Sequence, residues 1–130
     1  MITEGAIDLA EMLRGAISPE SGAVVAFIGV VRADPGVTGL EIEAYDDAAL
    51  DELRRIKEEA ISRFGVSYVN ILHRKGRISL GEIIVVVACA SPHRKEAFDA
   101  CEYVIDELKR RVLIWKKELT GEGGRWVNTS

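Results

Sequence analysis

Residues 83–90 read Ile-Ile-Val-Val-Val-Ala-Cys-Ala, apolar at every position and β-branched at the first five. Such a run leaves no polar face in either alternation, so a strand built from it belongs in the middle of a sheet rather than at a solvated edge. It is far shorter than the ~20 residues that cross a bilayer. The same limit applies to 23–31, so no membrane association is expected. The rest of the chain must therefore supply flanking strands and a cover for this one.

Those elements are legible along the sequence. A short helix is expected around Asp8–Arg14, then a turn at "SPESG" (18–22). "AVVAFIGVVR" (23–32) predicts a mostly buried strand and "ADPGVTG" (33–39) a loop, from its Pro and Gly content. "LEIEAY" (40–45) alternates as a half-exposed strand does. From Asp46 a helix is expected, with Ala49, Leu50, Leu53, Ile56, Ala60, Ile61 and Phe64 at helical spacing and Gly65 as its cap.

"VSYVNILHR" (66–74) returns to strand and "KGRISLGE" (75–82) turns before the central run. A second long helix covers 91–112, capped by Ser91 with Pro92 at its first position. Its apolar face is Ala97, Cys101, Val104, Ile105, Leu108 and Val112. A last strand, Leu113–Leu119, precedes the glycine-rich tail "TGEGGRWVNTS". The order α-ββ-α-ββ-α-β, with both long helices on one mixed sheet, is a single α+β domain over residues 1–130.

Composition narrows the function classes. The net charge is −4, but residues 1–62 hold 5 Lys/Arg against 13 Asp/Glu, and residues 63–130 hold 12 against 8. An acidic chain whose strands lack paired exposed aromatics is a poor nucleic-acid binder, and an RNA-binding α+β domain is disfavoured. The basic half can still host a local anion site. Two cysteines, Cys89 and Cys101, fall on apolar faces and read as buried thiols. Two histidines and two such cysteines form no metal-ligand spacing, and no P-loop, GxGxxG or Ser/His/Asp set is present. The acidic "MITEGAIDLAEML" lacks the basic start of a secretory signal, so a cytoplasmic address is expected.

Cations gather at both ends of the second long helix. At its start stand His93, Arg94 and Lys95, where the dipole favours anions; they either hold a phosphate or carboxylate or pair in water with Glu96 or Asp99. At its end, Lys109-Arg110-Arg111 suits the dipole as a solvated terminus. The two arginines also disfavour further positive charge on Lys109, one route to a lysine that moves protons. In "VLIWKKE" (112–118), strand alternation sends one of Lys116 and Lys117 inward and the other to solvent. Trp115 reads as packing. Arg32 and the pair His73-Arg74 each end a strand, either as rim residues or as site residues, and a lone surface His is more often inert.

Taken together, "GAVVAFIGVVR" (22–32), "EIEAY" (41–45), "LHRKGRISLGE" (72–82), "SPHRKEAFDACEYVIDELK" (91–109), "IWKKE" (114–118) and "GGRW" (123–126) run in one order across nearly the whole chain. They resemble the large, catalytic subunit of molybdopterin synthase. The chain departs from the family pattern at Ile42, Ala48 and Leu113 and in its short loop 33–39, none at a proposed catalytic position.

The resemblance implies an α/β hammerhead fold and a homodimeric core of a heterotetramer. A small ubiquitin-like sulfur-carrier subunit would bind at each end and thread its thiocarboxylated Gly-Gly terminus into the large subunit. The implied reaction moves two sulfurs onto cyclic pyranopterin monophosphate, giving molybdopterin, with no resident cofactor. The family's two essential lysines fall on Lys109 and Lys116, as the catalytic residues. Arg32, His93 and Arg94 would bind substrate phosphate and pterin, the latter two from their own or the neighbouring protomer. Lys109 would move a proton and stabilise negative charge; Lys116 would position substrate or tail. The rival is a non-catalytic module that binds a phosphorylated metabolite or acidic peptide tail through the same basic patch.

Overall fold

A computed structural model describes residues 1–112, 114–121 and 123–127, with Arg125 as backbone only. Strand β6 (Ile83–Ser91) lies where its composition demands. It pairs antiparallel with β2 (Ala23–Val30) on one side and β4 (Tyr68–Arg74) on the other, and every residue from Ile84 to Ser91 is buried. A two-residue strand β1 (Ile2–Thr3) adds in parallel to β4, opposite His73 and Arg74, giving the mixed order β1-β4-β6-β2.

Helices α2 (Asp46–Phe64) and α3 (Arg94–Arg111) pack on one face of this sheet and against each other. Ala49, Leu53, Ile56 and Ala60 from α2 meet Ala100, Cys101 and Val104 from α3 over Val69, Ile71, Val87 and Cys89. Gly65 closes α2 at φ 67°, its N–H donating to Ile61 O at 2.9 Å, the left-handed cap that glycine tolerates best. Both cysteines are buried, and the Cys101 thiol donates to Val87 O at 3.9 Å. The short helix α1 (Leu9–Arg14), capped by Asp8 Oδ1 accepting from the Glu11 N–H, reaches the sheet where Asn70 contacts Met12.

A second sheet was not expected. Strand β3 (Val37–Ala44) pairs on one side with β5 (Gly76–Ser79) and on the other with β7 (Ile114–Thr120), and β8 (Gly123–Val127) completes the order β5-β3-β7-β8. Residues 75–82 thus hold a strand as well as turns, and the glycine-rich tail pairs with β7. Leu113, placed at the head of the last strand by its sequence, lies outside the described residues.

Two further expectations are corrected. Ser91 is not the cap of α3: it still pairs with Ala23 as the last residue of β6, and the cap position falls to His93, with no side-chain capping bond. Strand β2 is half-buried rather than mostly buried. It forms the edge of its sheet, and Ile28 and Val30 are exposed.

Candidate active site

Helix α3 runs almost directly into β7: Val112 is already extended (φ −84°, ψ 129°) and Ile114 is paired with Ala44. That joint carries Lys109, on the last helical turn, and Lys116, on the strand, to the same cavity. Alternation along β7 sorts the side chains. Ile114 is buried and Trp115 faces outward, edge-on to Tyr45 with ring centroids 4.9 Å apart. Lys116 turns inward, and Lys117 lies outside, 5.6 Å over the Trp126 ring. One lysine inward and one outward is the arrangement expected of a strand, whereas Trp115, read as packing, is exposed on the outer face with Tyr45 against its ring.

The inner cavity, of about 160 Å³, is floored by Phe27, Val85 and Val87 and closed by Ile105, Leu108, Val112 and Ile114. Among the described residues, Lys109, Lys116 and His73 are its only ionisable side chains. It adjoins a wider cleft of about 520 Å³ that shares Lys109 and Lys116 and adds Arg32, Asp34 and Glu118. The site is therefore an apolar recess opening past two lysines into a polar mouth. In the mouth, Arg32 Nε and Nη2 donate to Asp34 at 2.8 and 3.3 Å, and its side chain is 83% exposed. The bond to Asp34 raises the Arg32 pKa.

Burial pushes the Lys116 ammonium below its ordinary pKa, and the nearby Lys109 charge adds to this. A lysine so placed gives up a proton more readily than one in water and gains most from an anion entering the recess. Arg110 and Arg111 do not play the part the sequence suggested. Arg110 is tied to Glu107, and Arg111 to Glu52, Glu59 and Glu107. Their charges are offset by carboxylates along α2 and α3 rather than turned on Lys109.

His93 and Arg94 are exposed at the opposite end of α3. Fifteen residues at ~1.5 Å rise put Arg94 ~22 Å from Lys109, so one protomer does not bring them to the recess. Lys95 pairs with Asp99 at 3.1 Å, as the solvated alternative requires, whereas Arg94 has no ion pair among the described residues.

The residue undervalued in the sequence is His73. It is 4% exposed, not on the surface, and lines the inner cavity. Its signal was parity: it continues the inward alternation of Val69 and Ile71. Burial depresses its pKa, the Arg74 carbonyl opposes that shift, and Lys116 adds to it. Arg74 beside it is buried against Glu82 at 3.0 Å and the Glu4 carbonyl at 3.2 Å, a structural role. Among the described residues no cluster of His, Cys, Asp or Glu could hold a metal, and no helix is long and apolar enough to cross a membrane.

Comparison with known proteins gives a consistent picture. The family described as MoaE protein matches residues 2–111. The molybdopterin synthase catalytic subunit of Caulobacter vibrioides is 50% identical over 112 residues, covering 83% of this chain and 73% of that one. That of Pyrococcus abyssi is 42% identical over 113 residues, covering 85% and 76%. The crystal structure of molybdopterin synthase from Staphylococcus aureus superposes with a TM-score of 0.92 at 36% identity, over 97% of this chain and 94% of that one. A Helicobacter pylori complex of subunits 1 and 2 of molybdopterin-converting factor matches with a TM-score of 0.85 at 25% identity, over 97% and 88%.

Proposed function

The chain belongs to the MoaE family of molybdopterin synthase catalytic subunits, and from that premise we propose how it transfers sulfur and with which residues. The substrate is cyclic pyranopterin monophosphate, and the donor is the carboxyl-terminal thiocarboxylate of a small ubiquitin-like subunit. Two sulfurs, from two successive small subunits, give the dithiolene of molybdopterin; water cleaves each acyl–sulfur bond and supplies the oxygen with which the spent tail leaves as a carboxylate.

One observation carries this reading: Lys109 and Lys116, from different elements, meet where a narrow apolar recess opens into a wider polar cleft. The recess suits an extended Gly-Gly tail, which has no side chains to accommodate. The cleft, with Arg32 at its rim, suits the phosphate and pterin. At the junction, two ammonium groups stabilise the negative charge that passes from thiocarboxylate to product. Lys116, already disfavoured as a cation, positions the tail or substrate; Lys109 moves the proton.

His93 and Arg94 enter the scheme as substrate-binding residues supplied to the neighbouring site across a homodimer, because ~22 Å of helix separates Arg94 from Lys109 of its own chain. The whole chain acts as one catalytic domain, in the cytoplasm, at the core of a heterotetramer.

The test mixes the protein with cyclic pyranopterin monophosphate and a thiocarboxylated small subunit and reads product as the fluorescent oxidised pterin. Wild type should turn over, and Lys109→Ala should lose nearly all product while still binding the small subunit. Equal product from both would remove Lys109 from the mechanism. Binding without turnover in wild type, with a partner competent elsewhere, would favour the non-catalytic module.

A further inference from the structure

We infer that His73 is the hydrogen-bond acceptor that holds a backbone N–H of the incoming carboxyl-terminal tail inside the recess. The inference rests on the sulfur-transfer reading above and assigns this residue a positioning role.

The tautomer follows from one bond. Nδ1 lies 2.7 Å from the carbonyl oxygen of Arg74. A carbonyl only accepts, so Nδ1 carries the proton, and in the neutral ring Nε2 presents a lone pair. Burial and the Lys116 charge both favour that neutral ring. Nε2 makes no hydrogen bond among the described residues.

The other ionisable side chains of the recess, among the described residues, are donors. Lys109 and Lys116 can take the carboxylate or thiocarboxylate end, but every other lining side chain is apolar. A peptide drawn into such a space must leave water with its amide N–H groups, and a buried N–H without an acceptor is costly. Among the described residues His73 is the one side-chain acceptor lining the recess. Ammonium for the acid terminus and imidazole for the amide make a set matched to a short, side-chain-free peptide end.

The ring is also held in place beforehand. The His73 N–H donates to Met1 O at 2.8 Å and the Lys75 N–H to Thr3 O at 2.9 Å, so β1 grips the backbone on both sides. The Arg74 guanidinium is fixed by Glu82 and the Glu4 carbonyl. An acceptor that need not be ordered on binding contributes more of its strength to affinity.

The experiment compares His73→Asn with wild type in binding two forms of the small subunit, intact and lacking its last two glycines, by titration calorimetry. Asn keeps a donor near the Nδ1 position for the Arg74 carbonyl and lacks Nε2. Its affinity for the intact partner should fall about 5- to 30-fold, with the truncated partner bound within about twofold of wild type. Equal losses for both forms, or none for either, would overturn the role of His73.

A second measurement needs no variant. The charged groups facing the ring are Lys109 from α3 and Lys116 from β7; β1 and β6 present Ile2 and Val85. Burial holds the imidazole below its ordinary pKa of 6.5, so the intact-to-truncated affinity ratio of wild type should hold through neutral pH and fall on further acidification, as Nε2 takes a proton. A ratio that rises on acidification would make the imidazole a donor to the carboxylate and refute the inference. Wild type that cannot tell the two partners apart at neutral pH would instead sink the tail-threading reading on which it rests.

Discussion

Replacing Arg111 by Met should cost ~1–1.5 kcal/mol of stability at pH 7 and almost nothing near pH 2. Arg111 joins the last turn of α3 to α2. Nη1 and Nη2 grip Glu59 at 2.6 and 3.0 Å, and Nε donates to Glu52 at 3.1 Å. Chiefly through Arg111, and secondly through the Tyr103 hydroxyl, the Glu59 carboxyl is held at about 2 instead of 4.5. At ~1.4 kcal/mol per pKa unit that difference sets a ceiling of ~3.5 kcal/mol. The Glu59 side chain is 39% exposed, so solvent screening brings the contribution down to ~1–1.5 kcal/mol. Glu52 and Glu107 lose the same cation, a change in the same direction.

The sign follows from a depressed carboxylate. Its contribution is fully present above 4.5 and is lost as pH falls toward about 2. Met keeps the aliphatic stem of Arg, so packing changes little. Urea unfolding of both proteins at pH 7, 4.5 and 2.5, with unchanged m-values, should show the gap closing across that window. A gap that is constant with pH would refute the electrostatic account and assign the loss to packing. Because Lys109 lies two residues upstream on the same turn, sulfur transfer should fall along with stability at pH 7.

Lys116→Met should abolish turnover yet raise the stability of the free protein by up to ~1 kcal/mol, because the recess disfavours the ammonium it removes; thermal melts beside the pterin assay test both halves. Leu53→Ala, at a site with no exposure between α2 and the sheet, should cost ~2–5 kcal/mol by calorimetry without moving the lysines. Gly22→Ala should destabilise by more than ~1 kcal/mol, since a Cβ there collides with the Pro92 carbonyl. A melting temperature equal to wild type would show that the link between β6 and α3 yields freely.

What could be read from the sequence was what local pattern controls. The apolar run 83–90 needed neighbours on both sides and has them. The spacing from Ala49 to Ala60 buries one helical face, and Gly65 ends that helix in the conformation glycine favours. The second sheet escaped because its unforeseen strands, β5 and β8, are short and begin with glycine; they exist as strands only through pairing with β3 and β7. Ser91 and Pro92 carry a helix-start signal, but ladder pairing to Ala23 outcompetes it. Lys109 and Lys116 could be named from a resemblance and from alternation. Their meeting at one recess, and the companionship of His73, depend on how α3 and two sheets are stacked, which no local pattern encodes.

The near-direct passage from α3 into β7 makes chain length itself part of the chemistry. Lys109 is oriented by a repeat of ~3.6 residues and Lys116 by a repeat of 2, and little chain between them can absorb an error in either. A single residue inserted after Val112, with β7 slipping one place against β3 so that the joint stays tight, would carry Trp115 into the place of Lys116 and turn Lys116 out to solvent. A deletion there would bring Lys117 inward instead. Substitutions in this stretch can be graded in their effects, but insertions and deletions exchange a cation for an indole or one lysine for another. Length variation among functional descendants of this chain should therefore gather in the 33–36 loop and beyond β8, and spare the interval between the two lysines.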